Sequence, residues 1–193
     1  MPPMPLLRHW LIPALWGVWG AYWWLASRKT TQTRSAEAPA TRLVHLMLIY
    51  AAFGLMLAPG LRNSPLGGRW LPDTAAVFWI GAGIVTAGLG FAAWARVHLG
   101  QYWSGTITLK AGHRLIRTGP YALARHPIYT GFVTGIAGTA VALGEWRGLL
   151  GAAFVITAYL RKIRIEERWL TTEFGEEYAR YQREVKALVP FLL

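Results

Sequence analysis

The sequence predicts an all-α integral membrane protein of about five transmembrane helices. Three observations lead there. Of its 193 residues, 54% are hydrophobic and only 15% are charged, against about 25% charged in an ordinary soluble domain. The apolar residues fall into blocks close to the roughly 20 residues that a helix needs to cross a bilayer core. The basic residues gather on alternate connections between those blocks. Within lipid each backbone N–H and C=O must be satisfied inside its own segment, so the blocks are expected to be helices.

The blocks cover 9–26, 43–61, 74–97, 128–143 and 149–165. The first has a bulky core of Trp16, Trp19, Trp23 and Trp24, followed by Arg28 and Lys29. It is expected to be a retained span rather than a cleaved leader. Trp10, Trp23 and Trp24 suit the aromatic belts at the two interfaces. The third block is the longest and cleanest, the fourth is short and glycine-rich, and the fifth turns basic at its end. No internal repeat and no second, soluble domain are expected, so 1–193 reads as a single membrane domain.

With the N-terminus outside, 16 of the 20 Lys and Arg residues fall on inside segments, and only Arg8, Arg62, Arg69 and Arg147 fall outside. That is a positive-inside distribution, and it predicts a multi-pass chain with a cytosolic C-terminus. It also accounts for the net charge of +11 without a nucleic-acid partner, and adds attraction to anionic membrane lipids. The chain has no cysteine, which removes disulfides, thiolate nucleophiles and Cys-based metal sites. The five histidines are scattered, with no His-Glu-x-x-His, so no metal is expected.

The 29–42 connection is rich in Thr, Ser and Ala and reads as a flexible link. The inner connection 98–125 is too long for a simple connector, and long loops often carry function. The tail 166–185 has Leu170, Phe174, Tyr178 and Tyr181 at helical spacing. It is expected to be an amphipathic stretch, broken near Gly175, lying either on the membrane surface or against the rest of the protein.

Two clusters could carry chemistry. In "GPYALARHPIYTG" (119–131), Pro120 and Pro127 bias the residues before them away from helix, so a helix should start at about Pro127. A helix N-terminus offers free N–H groups and a positive dipole end to an anion, and Arg125 and His126 stand beside it. Against this, an interfacial Arg often snorkels or binds lipid phosphate, and a His before Pro can simply cap a helix. Ionisable groups at membrane depth nevertheless lean toward function. In "RKIRIEE" (161–167), Lys162 and Glu166 share a helix face, which by itself is a modest ion pair. The neighbouring acids should point in different directions, one pairing locally and the other facing a pocket.

Four stretches in order, "RVHLGQYWSG" (96–105), "GHRLIRTGPYALARHPIYTG" (112–131), "IEERWL" (165–170) and "EFGEEYARYQREVKALVPF" (173–191), resemble the isoprenylcysteine carboxyl methyltransferase family. That family sits in a wider membrane methyltransferase group that includes phospholipid N-methyltransferases. The resemblance implies S-adenosylmethionine as methyl donor, with S-adenosylhomocysteine as product. It implies a donor pocket within 98–191, formed by the cytosolic loop and the C-terminal amphipathic helix. It implies a lipophilic acceptor, a small molecule or a prenylated protein, entering from the membrane. Family positions for the donor fall on His113, Leu115, Ile116, Tyr121, His126, Pro127, Ile128, Tyr129 and Glu166. The family commonly has an Arg, implicated in substrate binding, where this chain has Lys162; a lysine lacks the planar fork that suits a carboxylate.

The implied activity is methyl transfer to a membrane acceptor, foremost the carboxylate of an isoprenylcysteine-like compound. The chemistry of the residues suits it. Glu166 suits the donor's ammonium, and His126 with the helix start suits its carboxylate. Tyr121 and Tyr129 offer π faces to the sulfonium. Arg125, or the group Arg161, Lys162 and Arg164, would orient an anionic acceptor and so make up the catalytic set. The rivals are an NADPH-dependent reductase of the sterol reductase type, which carries a similar Arg-His-Pro-x-Tyr-x-Gly string, a phospholipid or thiol methyltransferase, and a non-catalytic lipid-binding scaffold.

Overall fold

The computed structural model describes residues 4–27, 33–36, 39–100, 103, 108–110 and 115–188. The described residues are mostly helical, with one short two-stranded ribbon. Its elements are α1 (Met4–Ser27), β1 (Thr33–Ala36), α2 (Pro39–Leu57), α3 (Ala75–Leu99), β2 (Thr108–Lys110), α4 (Pro127–Leu143), α5 (Trp146–Phe174) and α6 (Glu176–Glu184). Of these, α2 and α3 are long and apolar enough to cross a membrane, and α4 is a shorter apolar helix.

Two helices, α3 and α4, keep close to their expected bounds, because their caps obey local chemistry. At α3 the Thr74 side chain accepts from the Val77 amide, which satisfies one of the orphan donors of a helix start. At α4, Pro127 occupies the first helical position, where its missing N–H is no loss. The last helix differs from expectation. Rather than ending at residue 165, α5 runs on through both acids to Phe174, since no Gly or Pro stands between Ile165 and Gly175. The break comes at Gly175, whose φ is 50°. Beyond it Tyr178 and Tyr181 are buried, so α6 packs on the protein. The strands β1 and β2 pair antiparallel, joining the 29–42 connection to the 98–125 connection.

Side-chain contacts fix how the helices run. Arg8 near the start of α1 reaches Asp73 at 2.7 Å, just before α3. Arg96 near the end of α3 donates to the Ala26 carbonyl at the end of α1. These two helices are therefore parallel. Arg161 late in α5 donates to the Thr41 carbonyl early in α2, at 3.0 Å. Buried Arg147 early in α5 donates to the carbonyl of Ala58, just after α2, so α2 and α5 are antiparallel.

The tightest pairing is α3 against α4. A Cβ on Gly88 would lie 2.6 Å from the Gly131 carbonyl oxygen and 2.6 Å from the Gly135 nitrogen. Only glycine lets two backbones approach so closely, and small-residue seams are how helices associate without a hydrophobic drive between them. Two core clusters knit the long helices together, and a third lies beneath the start of α4. Ile12, Phe78, Val85 and Leu89 join α1 to α3, and Ala52, Met56, Ile136, Val155 and Tyr159 join α2, α4 and α5. Trp16 links these two by donating to the Thr139 hydroxyl at 3.0 Å. Outward, large apolar side chains stay uncovered, among them Val18, Tyr50, Ile80 and Val97, a surface suited to lipid rather than water.

Candidate functional site

The site forms where the start of α4 meets the far half of α5 and the segment after α6. A single turn of 3-10 helix, Gly119–Ala122, leads into it. Gly119 has φ +59°, and a Cβ there would lie 2.7 Å from the His98 ring. The glycine thus permits both the turn and the packing of His98, which stacks over Tyr121 at 6.3 Å. The chain then stays irregular to His126, the residue before Pro127, as the two prolines predict.

The C-terminal segment straps this turn. The Arg125 amide donates to the Lys186 carbonyl at 2.8 Å and the His126 amide to the Ala187 carbonyl at 3.0 Å. The Thr130 hydroxyl donates to the Leu188 carbonyl at 2.7 Å, and Tyr181 donates to the Tyr121 carbonyl. Backbone that would otherwise be buried unpaired is satisfied in this way.

His126 is the centre of the charge cluster. Its Nδ1 lies 3.4 Å from Glu166 Oε2 and its Nε2 lies 3.2 Å from Glu167 Oε1. The two acids, expected to face different ways, grip the two edges of one imidazole. Tyr129 donates to Glu166 Oε1 at 2.5 Å and stacks parallel to His126, with ring centres 5.6 Å apart. Lys162 Nζ lies 5.4 Å from the centre of the Tyr129 ring.

Glu167 gathers more partners than Glu166. Arg125 donates to its Oε1 from Nε at 2.8 Å and from Nη2 at 2.6 Å. Tyr178 donates to it at 3.5 Å, and Gln182 Nε2 donates to Oε2 at 3.2 Å. The remaining terminal nitrogen of Arg125 donates to the carbonyls of Gln182 and Val185.

Titration follows from these contacts. Burial alone would favour neutral forms. For His126 burial is outweighed by the hydrogen bonds to Glu166 and Glu167, and its pKa rises above the usual 6.5. For Glu166 burial is outweighed by His126 and Lys162, and its pKa falls. For Glu167 burial is outweighed by His126 and Arg125, which hold it at about 2. The contacts thus favour the charged forms of His126, Glu166 and Glu167.

Of the residues expected at a site, the structure brings together Arg125, His126, Pro127, Ile128, Tyr129, Lys162 and Glu166. Tyr121 and Ile128 pack beneath them with Trp103 and Ala95, and Ile116 covers that patch. Leu115 is half-buried on the approach to the turn, and His113 lies outside the described residues. Three expectations need correction. Arg125 does not face an acceptor side, because Glu167 and the C-terminal carbonyls take its whole guanidinium. Arg161 faces α2 through the Thr41 carbonyl. Arg164 is exposed and lines a groove of about 470 Å³ with Glu167, Arg168, Thr171, Thr172 and Gln182. Glu167, Tyr178 and Gln182 were missed as partners, although Tyr178 and Gln182 stand one helical turn apart on the same face of α6, the spacing at which two side chains reach one target.

The cluster from Arg125 to Glu167 lies within a segment that is similar to known proteins. The model of the isoprenylcysteine carboxyl methyltransferase family matches residues 80–172. The chain is 33% identical over 101 residues to a protein-S-isoprenylcysteine O-methyltransferase of Schizosaccharomyces pombe, covering 51% of this chain and 43% of that protein. It is 31% identical over 145 residues to protein-S-isoprenylcysteine O-methyltransferase A of Arabidopsis thaliana, covering 72% and 66%. It is also 31% identical over 177 residues to a methanethiol S-methyltransferase of a Pseudomonas species, covering 87% and 64%. The chain spans about half the length of several of the curated relatives it matches.

Proposed function

We propose that the protein is a membrane enzyme that transfers a methyl group from S-adenosylmethionine to a lipophilic acceptor, foremost the carboxylate of an isoprenylcysteine-like compound; the match of residues 80–172 to the isoprenylcysteine carboxyl methyltransferase family supports it. The observation that carries the proposal is the pair Glu166 and Glu167 closing on His126 at the start of α4. This pair lies inside the matched segment, in the second half of α5.

The residues fit the donor. Glu166 is an ionised carboxylate within reach of a helix start, which suits an ammonium group. No side chain caps α4 among the described residues, so the amides of its first turn, those of Ile128 and Tyr129, are available to a carboxylate. Tyr121 and Tyr129 present faces to a cation, while Ile116 and Ile128 supply apolar cover. When bound, the donor would supply a methyl group activated by its sulfonium charge. In the proposed arrangement Glu166 and the α4 amides hold the amino-acid end, and the tyrosines exclude water. Leu115 extends this surface, His113 is assigned to the donor from its family position alone, and Pro127 fixes where the helix begins. Lys162, buried beside the Tyr129 ring, orients an anionic acceptor. Arg125 positions Glu167 and the C-terminal strap. A carboxylate acceptor needs no strong base, so orientation and dryness carry the rate.

The proposed topology is one membrane methyltransferase domain over 1–193, with five spans near 9–26, 43–61, 74–97, 128–143 and 149–165. The N-terminus would be outside and the C-terminus cytosolic, with membrane lipids around the uncovered apolar side chains. The parallel run of α1 with α3 and the antiparallel run of α2 with α5 support it.

A thiol acceptor is the second reading, favoured by the length of the match to the methanethiol enzyme. Calorimetric titration of detergent-solubilised protein with S-adenosylhomocysteine and with NADPH tests the proposal. Binding of the former alone is expected, and binding of NADPH alone would replace it with a reductase.

A further inference from the structure

The groove of about 470 Å³ between the far half of α5 and α6 holds Arg164, Glu167, Arg168, Thr171, Thr172 and Gln182. Arg164 and Arg168 are exposed and stand one turn apart on α5. Like charges at that spacing repel and cost some helix stability. Neither guanidinium pairs with an acid among the described residues. The acid of the groove, Glu167, is already engaged: Arg125 and His126 hold its Oε1, and Gln182 donates to its Oε2. Thr171 and Thr172 give their protons to carbonyls of the preceding turn. What remains is a cationic trough.

Its depth is set by α2. Arg161 donates to the Thr41 carbonyl, which puts it level with the start of a helix long and apolar enough to cross a membrane. At about 1.5 Å per residue, Arg164 and Arg168 lie roughly 4.5 and 10.5 Å further along α5. Headgroups occupy about 5–7 Å beyond each side of a bilayer core. Arg164 therefore falls within that layer and Arg168 at its outer rim. In the other direction, Leu160 and Ile156 stand one and two turns before Arg164, and both are uncovered. An exposed apolar stripe thus runs straight into the two arginines.

We propose that this groove seats an anionic phospholipid, with its phosphate on Arg164 and Arg168 and an acyl chain along Leu160 and Ile156. A guanidinium offers phosphate two parallel N–H donors, which a lysine cannot. The apolar stripe is what selects a lipid: a free phosphate ion makes no use of Leu160 and Ile156. The site lies outside methyl transfer and rests only on the proposed crossing of the bilayer by α5.

The test is calorimetric titration of delipidated full-length protein in nonionic detergent with three probes: dioctanoylphosphatidylglycerol, dioctanoylphosphatidylcholine and inorganic phosphate. Wild type should bind the phosphatidylglycerol saturably and more tightly than the other two. Each arginine removed should weaken that binding roughly fivefold, and Arg164→Gln with Arg168→Gln together about 30-fold. The pair Arg180→Gln and Arg183→Gln removes exposed charge from α6 outside the groove, and should keep the wild-type affinity. Unfolding midpoints without lipid check that the variants are folded, and Arg168→Gln alone replaces the double variant if that one is not. Unchanged affinity in the folded groove variants overturns the proposal. So does an equal loss in the α6 pair, which would mean diffuse attraction. Phosphatidylcholine binding as tightly would mean unselective lipid cover, and phosphate binding as tightly would mean an anion site without a lipid; either overturns it. Protein that stays monodisperse without detergent removes the membrane placement, and the proposal with it, while leaving methyl transfer untouched.

Discussion

Arg125 holds Glu167 through two nitrogens on one carboxylate oxygen, Nε at 2.8 Å and Nη2 at 2.6 Å. This pair ties the last turns of α5 to the start of α4, and both side chains are largely buried. A charge left there without its partner is costly. Glu167→Gln should therefore destabilise the protein by about 2–3 kcal/mol, the scale of hydrogen bonds to charged groups. Thermal unfolding in detergent reads this, and a midpoint equal to wild type would remove the stabilising role given to the pair.

The same cluster sets a pH window. The Glu167 carboxyl is depressed from the usual 4.5 to about 2, so its stabilisation is complete above about 4.5 and is lost as pH falls toward 2. The His126 pKa is raised above 6.5, so its stabilisation is complete below 6.5 and is lost as pH rises through the raised value. The unfolding midpoint should be highest between these two limits. Glu167→Gln should flatten the acid side of the profile, and a variant profile that parallels wild type would contradict the assignment.

Packing of α3 on α4 rests on Gly88. Gly88→Ala places a Cβ 2.6 Å from backbone atoms of Gly131 and Gly135, whereas Gly90, two residues on, has nothing within 4 Å. Gly88→Ala should cost about 1–3 kcal/mol through overpacking, and Gly90→Ala should be neutral or slightly stabilising, by less than about 1 kcal/mol. Similar unfolding midpoints for the two variants would show that the seam can relax.

Topology has a direct check because the chain has no native cysteine. A cysteine at Ser35 should stay unlabelled by an impermeant maleimide in intact cells and react after permeabilisation. Labelling in intact cells would reverse the proposed orientation.

How much of this was legible in the sequence differs by element. Helix starts with a local cause were readable: Pro127 acts through its own backbone and Thr74 through its side-chain oxygen. The Arg-His-Pro turn and Glu166 could be named because their neighbours in sequence define a helix end. The role of Glu167 was not readable. Adjacent residues on a helix diverge, but an imidazole offers nitrogens on two edges, and both acids can reach it. Arg161 and Arg164 looked equivalent to Lys162 as basic residues. Helix rotation sends Arg161 toward α2 and Arg164 to the exposed surface, and only the packing partner decides which face is which. The strap of residues 185–188 over Arg125 and His126 depends on backbone pairing far apart in sequence, which no local pattern announces.

The claim that the cluster holds the methyl donor is tested most directly by calorimetric affinity for S-adenosylhomocysteine in wild type, Glu166→Gln and His126→Ala. Wild type should bind, and each variant should lose roughly 1–3 kcal/mol, the scale of a charge-assisted hydrogen bond. Unchanged affinity in both variants, with unfolding midpoints showing that they are folded, would contradict the account.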